Sequence, residues 1–398
     1  MRLLRTLVAF TALALIVAWI TGSGSGPGPG AASASQATIR VVLPHVAVVA
    51  PAAAGSVAPA LPWPKTGESA VAIPALGYAA QSGPERPVPV ASMTKIMTAY
   101  VVLEDHPLAL GQPGPRLKIS AADAAQFGTD TVTDQANVLL KAGEVLTEYQ
   151  MLEGLLVHSA NDLAYALAIW DAGSVGAFVA KMNSTAKDLG MNGTHFADAS
   201  GFSPSSESTA SDLLRVAAAA MTDPVFAQIV AMPAASLPLA GTVGTYTPLV
   251  GTTGVVGVKS GFTNAAGGGD VLAYKTTVGG HAFLALAAVT SQEMWTVLGF
   301  SGKEDLAVAR AAAARVESVT MVPAGTTVAK VKVGSRTVDV KTSAAVSMLA
   351  FPGETVRQSV HVRAPRPGTR RGTQVGTATF VLATQRVSVP VRVTARVP

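Results

Sequence analysis

Pro89-Val90-Ala91-Ser92-Met93-Thr94-Lys95-Ile96-Met97-Thr98-Ala99 is the stretch on which the fold of this chain turns. Ser92 and Lys95 lie one helical turn apart and share a face. Apolar positions at Met93, Ile96, Met97, Tyr100, Val101 and Leu103 predict a helix from Ser92 to Glu104, closed by His106-Pro107. A serine hydroxyl is a poor nucleophile until a neighbour takes its proton. A lysine can be that neighbour only where burial or nearby positive charge lowers its pKa. Pro87 and Pro89 precede the helix, whose N-terminus offers N–H groups to a developing oxyanion. A second Ser-x-x-Lys, Ser184 to Lys187, sits mid-helix among Lys181, Asn183 and Asp188, where both groups are solvated.

Two polar clusters follow downstream. Ser159-Ala160-Asn161 is the only Ser-x-Asn of the chain and falls in a tight break between two apolar helices. The first is predicted from the capping box Thr147-x-x-Gln150 through Leu156, the second from Asn161 to Trp170. Lys259-Ser260-Gly261 follows an apolar strand read as Val255 to Val258. A strand edge carrying a cation, a hydroxyl and a glycine suits an extended peptide that ends in a carboxylate, and the N–H of Phe262 can point into the site. The copy Lys65-Thr66-Gly67 lies between prolines with no strand ahead of it.

Around these clusters, Ser69 to Tyr78 is predicted as an edge strand interrupted by Pro74. Helices are predicted from Ser174 to Gly190, Thr209 to Met221 and Glu293 to Val316. Val271–Thr277 and Ala282–Thr290 alternate as a hairpin through Gly279-Gly280. After Pro323 come short Val/Thr strands: Val328–Val333, Thr337–Val340, Gln358–Val362, Thr377–Leu382 and Arg386–Val393.

Composition narrows the function classes. Of 398 residues, 49% are hydrophobic and 13% charged, which excludes a disordered polyelectrolyte. The absence of Cys excludes disulfides, thiolate metal sites and a cysteine nucleophile. The six His are scattered without metal-ligand spacing, so neither a metal nor any other cofactor is expected. No G-x-S-x-G is present, which argues against an α/β-hydrolase serine. His158 beside Ser159 is assigned to packing, since adjacent residues at a helix break point apart. From residue 322 onward twelve Lys/Arg stand against Asp339 and Glu354, a net +10 on a chain of +5 overall, so the rest carries −5. That tail is expected to face something anionic, a membrane surface or a wall polymer. Its Arg366–Arg371 cluster lacks interleaved aromatics, which disfavours nucleic acid.

At the other end, Arg2 and Arg5 precede an apolar run from Leu7 to Ile20, the pattern of an export signal or membrane anchor. A Gly/Ser/Pro linker from Gly22 to Gly30 follows. The working part of the chain is therefore expected at the extracytoplasmic face of the cell envelope. The domain reading is 1–37 signal or anchor with linker, 38–60 extended lead-in, 61–320 catalytic domain and 321–398 basic β-sandwich-like domain.

The order S-x-x-K, S-x-N, K-[ST]-G resembles that of the penicillin-binding and serine β-lactamase superfamily. The stretch quoted first, Gly154 to Asp162, Leu189 to Phe196 with Ser200-Gly201-Phe202 and Ser208 to Leu213, and Gly257 to Thr263 resemble the low-molecular-weight D-alanyl-D-alanine carboxypeptidases. The resemblance covers roughly Leu61 to Val316 and, in outline, the β domain behind it. It implies an α+β fold: an antiparallel sheet flanked by helices, a helical subdomain, and a small all-β domain. It implies Ser92 as acyl-ester nucleophile, Lys95 as its general base and Ser159 as proton relay. Asn161, Lys259, Ser260, Gly261, Phe262 and Thr263 would bind substrate, with the N–H groups of Ser92 and Phe262 as oxyanion hole. The implied reaction is removal of the terminal D-Ala from peptidoglycan stem pentapeptides, with β-lactams as covalent inhibitors.

Three departures stand out. Ser260 replaces the usual Thr and keeps the hydroxyl. Gln292 stands about where the family places an Arg near the substrate carboxylate. The sequence closes at Pro398 straight after a strand, so anchoring is assigned to residues 7–20. A β-lactamase is the alternative enzyme, disfavoured because no E-x-x-L-N segment is present to position a deacylating water. A non-catalytic wall-binding protein is the other alternative, disfavoured by intact Ser92, Lys95, Ser159 and Lys259.

Overall fold

Lys95–Asp105 (α1) is buried on nearly every side, with Ile96, Met97, Ala99, Val101, Val102 and Leu103 all in the core. Each large apolar side chain so enclosed contributes about 1.5–3 kcal/mol. This helix is the axis of the larger of two units. The computed structural model describes residues 38–41, 60–252, 254–292, 297–333, 335–351 and 356–398. The apolar run Leu7–Ile20, the linker after it and residues 42–59 lie outside the described residues. Residue contacts group Gly55–Glu317 as one unit, and Ser318–Pro398 with the N-terminal segment through Ala54 as the other.

The larger unit holds a five-stranded antiparallel sheet of Glu68–Ile73 (β1), Tyr78–Gln81 (β2), Val255–Thr263 (β3), Gly267–Val278 (β4) and His281–Gln292 (β5), in the order β3-β4-β5-β1-β2. Along β4, Val271 and Ala273 join the main core. Leu272 between them is equally buried on the opposite face, where Val297–Ala313 packs. Both faces are covered in the middle of the sheet, where Val71, Val271, Leu272, Ala273, Leu286 and Val289 are buried.

The helical side comprises α1 with Ala121–Val132 (α2), Glu148–Leu156 (α3), Asn161–Ala172 (α4), Val175–Asp188 (α5), Ala210–Ala220 (α6) and Pro224–Val230 (α7). The start of α3 is the expected capping box, Thr147 Oγ1 accepting from the N–H of Gln150 while the Gln150 side chain accepts from Thr147 N–H.

Several boundaries differ from expectation. The stretch from Ser69 to Tyr78 is not one interrupted edge strand. Pro74 opens a 3-10 turn, β1 runs inside the sheet, and β2 folds back as its edge. Strand β3 does not end at Val258 but continues to Thr263, so Lys259-Ser260-Gly261 lies within it, paired to β4. The last helix of this unit is described from Val297 to Ala313, and residues 293–296 of the predicted one lie outside the described residues.

The smaller unit is a six-stranded antiparallel sheet in the order Thr38–Val41, Thr327–Val333, Arg336–Thr342, Gln385–Val393, Gln374–Leu382, Arg357–Val362. The five strands predicted here are present. The first strand comes from the stretch taken as an extended lead-in, with Ile39 opposite Val331. A separate pair, Glu317–Val322 with Val346–Ala350, completes a core of Val, Ala and Met with Phe380 and Leu382.

Candidate active site

Ser92 sits on the 3-10 turn Ala91–Thr94 that feeds directly into α1. The turn is held from behind by the 199–202 segment. Thr98 Oγ1 donates to the carbonyl of Ala199 at 2.6 Å, and Gly201 lies against Ala91. A Cβ at position 201 would stand 1.8 Å from the Ala91 carbonyl oxygen, and φ there is +81°, so only glycine fits. That segment is itself pinned by Asp198, whose carboxylate accepts from Ser200 Oγ at 2.7 Å, Ser206 Oγ at 2.5 Å and Phe202 N–H at 2.9 Å.

Lys95 opens α1 and is fully buried. Its Nζ is 3.0 Å from Ser92 Oγ, 2.5 Å from Asn161 Oδ1 and 2.7 Å from the Ser200 carbonyl oxygen. Two of these partners can only accept, whereas the serine hydroxyl can also donate. A neutral amine therefore commits its two N–H bonds to Asn161 and Ser200 and turns its lone pair to the Ser92 hydroxyl. Burial pushes the Lys95 amine well below the usual lysine range, and the positive charge of Lys259 adds to that, against the pull of Asp198, Asp130 and Asp162. Geometry and electrostatics thus agree in presenting the amine of Lys95 to the Ser92 hydroxyl.

The other predicted residues converge on the same cleft. Ser159, buried and at φ 62°, projects from the break between α3 and α4. It lines a cavity of about 280 Å³ with Ser92, Lys259, Ser260, Gly261 and Phe262. Asn161, the first residue of α4, donates from Nδ2 to Gln135 Oε1 at 2.6 Å as well as accepting from Lys95. A second cavity, also about 280 Å³, adjoins it at Ser92, Gln135 and Phe262 and is bordered by Asn161, Phe202 and Thr263.

Lys259 is fully buried, donates to the Ser260 carbonyl at 2.8 Å, and is brought down to about 7 by burial, with Asp270 opposing. Ser260 Oγ donates to the Tyr246 carbonyl at 2.9 Å. Gly261 brings the strand against the nucleophile turn: a Cβ there would be 2.9 Å from Ser92 N and 3.0 Å from the Val90 carbonyl oxygen. The cleft is therefore a narrow slot between strand β3 and the turn of Ser92.

Sequence reasoning missed Gln135, the carbonyl of Ser200, the Asp198 anchor and Tyr246. It also missed Asp270 and Asp305, which are fully buried and pushed well up, by burial above all. His158 does what was expected of it, packing on Tyr246 with ring centroids 4.7 Å apart and bonding the Gly244 carbonyl at 2.9 Å. The decoy Ser184 and Lys187 are exposed on α5. Gln292 is buried and its Nε2 donates to the Thr66 carbonyl at 2.7 Å, away from the residues that line the cleft. No metal-ligating cluster occurs among the described residues.

Comparison with known proteins points the same way. The D-alanyl-D-alanine carboxypeptidase family model matches residues 79–288. The D-alanyl-D-alanine carboxypeptidase DacB2 of Mycobacterium tuberculosis is 38% identical over 185 residues, 45% of this chain and 59% of that protein. The D-alanyl-D-alanine endopeptidase of Escherichia coli is 31% identical over 188 residues, 45% of this chain and 57% of that protein. The chain thus spans under two thirds of the length of these relatives. Among solved structures, penicillin binding protein 5 of Haemophilus influenzae aligns with a TM-score of 0.59 at 19% identity, over 86% of this chain and 99% of that one.

Proposed function

This chain belongs to the D-alanyl-D-alanine carboxypeptidase family, and from that premise we propose that it is a serine hydrolase that removes the terminal D-Ala from peptidoglycan stem pentapeptides. The observation that carries the reading is the three-way bonding of a buried lysine, Lys95, to Ser92, Asn161 and the Ser200 carbonyl. Ser92 Oγ attacks the carbonyl of the penultimate D-Ala while Lys95 takes its proton. The N–H groups of Ser92 and Phe262 hold the resulting oxyanion. The C–N bond breaks as the departing D-Ala amine gains a proton through Ser159, leaving an acyl ester on Ser92. Water then attacks that ester, giving the shortened peptide and restoring the hydroxyl. Lys259 and Ser260 receive the terminal carboxylate, and Asn161 the peptide group. β-Lactams acylate the same serine. The enzyme works at the extracytoplasmic face of the envelope, delivered by its N-terminal apolar segment.

Incubation with a diacyl-L-Lys-D-Ala-D-Ala peptide is expected to release free D-Ala in the absence of added metal; a chain that folds but releases none overturns the proposal. The pH profile follows from the two lysines. Raising the pH frees the lone pair of Lys95, so kcat/KM climbs; raising it further discharges Lys259, whose ammonium faces the substrate carboxylate, so kcat/KM falls. The profile is expected to be bell-shaped, with both limbs below the ordinary lysine value. Lys259→Arg keeps the charge at all accessible pH and should remove the alkaline limb; an unchanged limb in that variant refutes the assignment.

A further inference from the structure

The sheet of the smaller unit has two unlike faces. Its inner face is apolar, with Ile39, Val331, Val338, Val340, Val391 and Val393 packed together. On its outer face Arg40 stands opposite Lys330, Lys330 opposite Asp339, and Lys341 opposite Arg392. Lys332 follows two residues after Lys330, and Arg357 and Arg386 flank Val381 from its two sides. All of these cations are exposed except the half-buried Lys341. Among the described residues of this unit the one acid set among them is Asp339. None of them forms an ion pair among the described residues. The loop after Arg357–Val362 extends the same charge with exposed Arg363, Arg366, Arg370 and Arg371, and is tied to the sheet by Arg392 donating to the Gly372 carbonyl at 2.8 Å. A groove of about 430 Å³ beside it is lined by His361, Arg363, Thr369, Thr373 and Thr377.

An ordinary solvated surface mixes both signs, and unbalanced like charge repels itself and works against folding. We propose that this outer face is a binding surface for a hydrated linear polyanion bearing phosphate charges. Side chains on one face recur about every 7 Å along a strand and about 5 Å across strands, which gives a chain of phosphates cations at successive positions. Ser359, Thr377, Thr379 and Ser388 lie between the cations on the same face and offer hydroxyl donors to phosphate oxygens. A bilayer is the poorer match. Membrane-docking faces add apolar or aromatic side chains that enter the interface, and no large apolar side chain is exposed among the described residues of this unit. Beyond Ser318 the only aromatics are Phe351 and Phe380, the latter in the core, so bases have no stacking platform either.

The test uses the full chain and fluorescently labelled inorganic polyphosphate, with phosphatidylglycerol vesicles as the competing probe. Polyphosphate is expected to bind and to weaken steeply between about 50 and 200 mM salt. Lys330→Glu with Arg392→Glu should cut affinity by about tenfold or more, and Lys330→Gln with Arg392→Gln by less, both with an unchanged far-UV spectrum. Release of D-Ala from a soluble tripeptide should be unaffected in all of them, which keeps this surface separate from the Ser92 reading. Vesicle binding without polyphosphate binding overturns the proposal, and so does polyphosphate binding that ignores salt or both substitutions.

Discussion

Lys95→Ala is expected to lower kcat/KM for D-Ala release by roughly 10⁴- to 10⁶-fold, the range seen when a member of a nucleophile–base unit is removed. Among the described residues the Lys95 amine is the side-chain group hydrogen-bonded to Ser92 Oγ, at 3.0 Å, and its contacts with Asn161 Oδ1 and the Ser200 carbonyl leave its lone pair toward that hydroxyl. Alanine leaves the hydroxyl without a base and the Ser200 carbonyl without its donor. Lys95→Arg separates the two roles of the residue. It keeps a cation and N–H donors but cannot accept a proton at accessible pH, so it should be as inactive as alanine. If either variant retained more than about a tenth of wild-type activity, the proton would have to travel elsewhere. Thermal unfolding of each variant, followed by circular dichroism, distinguishes lost chemistry from a lost fold.

Gly261→Ala carries the second large effect. Its Cβ would meet Ser92 N at 2.9 Å, the Val90 carbonyl at 3.0 Å and Met93 N at 3.1 Å, all of them backbone. Backbone cannot swing aside as a long side chain can, so strand β3 and the nucleophile turn must separate by some tenths of an ångström. The slot between them is where the scissile carbonyl would sit, and displacements of that order in a catalytic constellation cost up to about 10²-fold in rate. The loss should appear in kcat/KM, because Gly261 lies on the same strand as Lys259 and Ser260 and all three shift relative to the Ser92 turn. Gly83→Ala is the control, since a Cβ there meets nothing within 4 Å; it should behave as wild type. Equal effects of the two substitutions would contradict the steric argument.

What was legible in the sequence was which polar side chains, in short segments far apart in the chain, would lie near one another. Ser92, Lys95, Ser159, Asn161 and Lys259 each stand in a motif of three or four residues, and the structure brings them to one cleft. The Ser200 carbonyl was illegible as a contact because any residue type supplies a carbonyl; only the small, polar Ser200-Gly201 pair hinted that the backbone passes close to something. Gln135 comes from a loop without periodicity. Asp270 carried a signal that could have been used: an acid within a strand whose neighbours are all apolar or glycine is either paired or protonated. Among elements, α3 was readable from its Thr147/Gln150 box, whereas α2 has an equally good one at Ser120 and Asp123. Its interior, with Gly128, Thr129, Thr131 and Val132, dilutes helix propensity and leaves mostly exposed positions, so the apolar period is weak. Thr38–Val41 escaped because four residues carry too little alternation to specify a strand until a partner is known.

Intact mass followed by peptide mapping after exposure to benzylpenicillin tests the central claim most directly. One penicilloyl adduct per chain is predicted, on the peptide containing Ser92, and absent from Ser92→Ala. An adduct on Ser159, on Ser184 or on any other residue, or its persistence in the Ser92→Ala protein, would contradict the account.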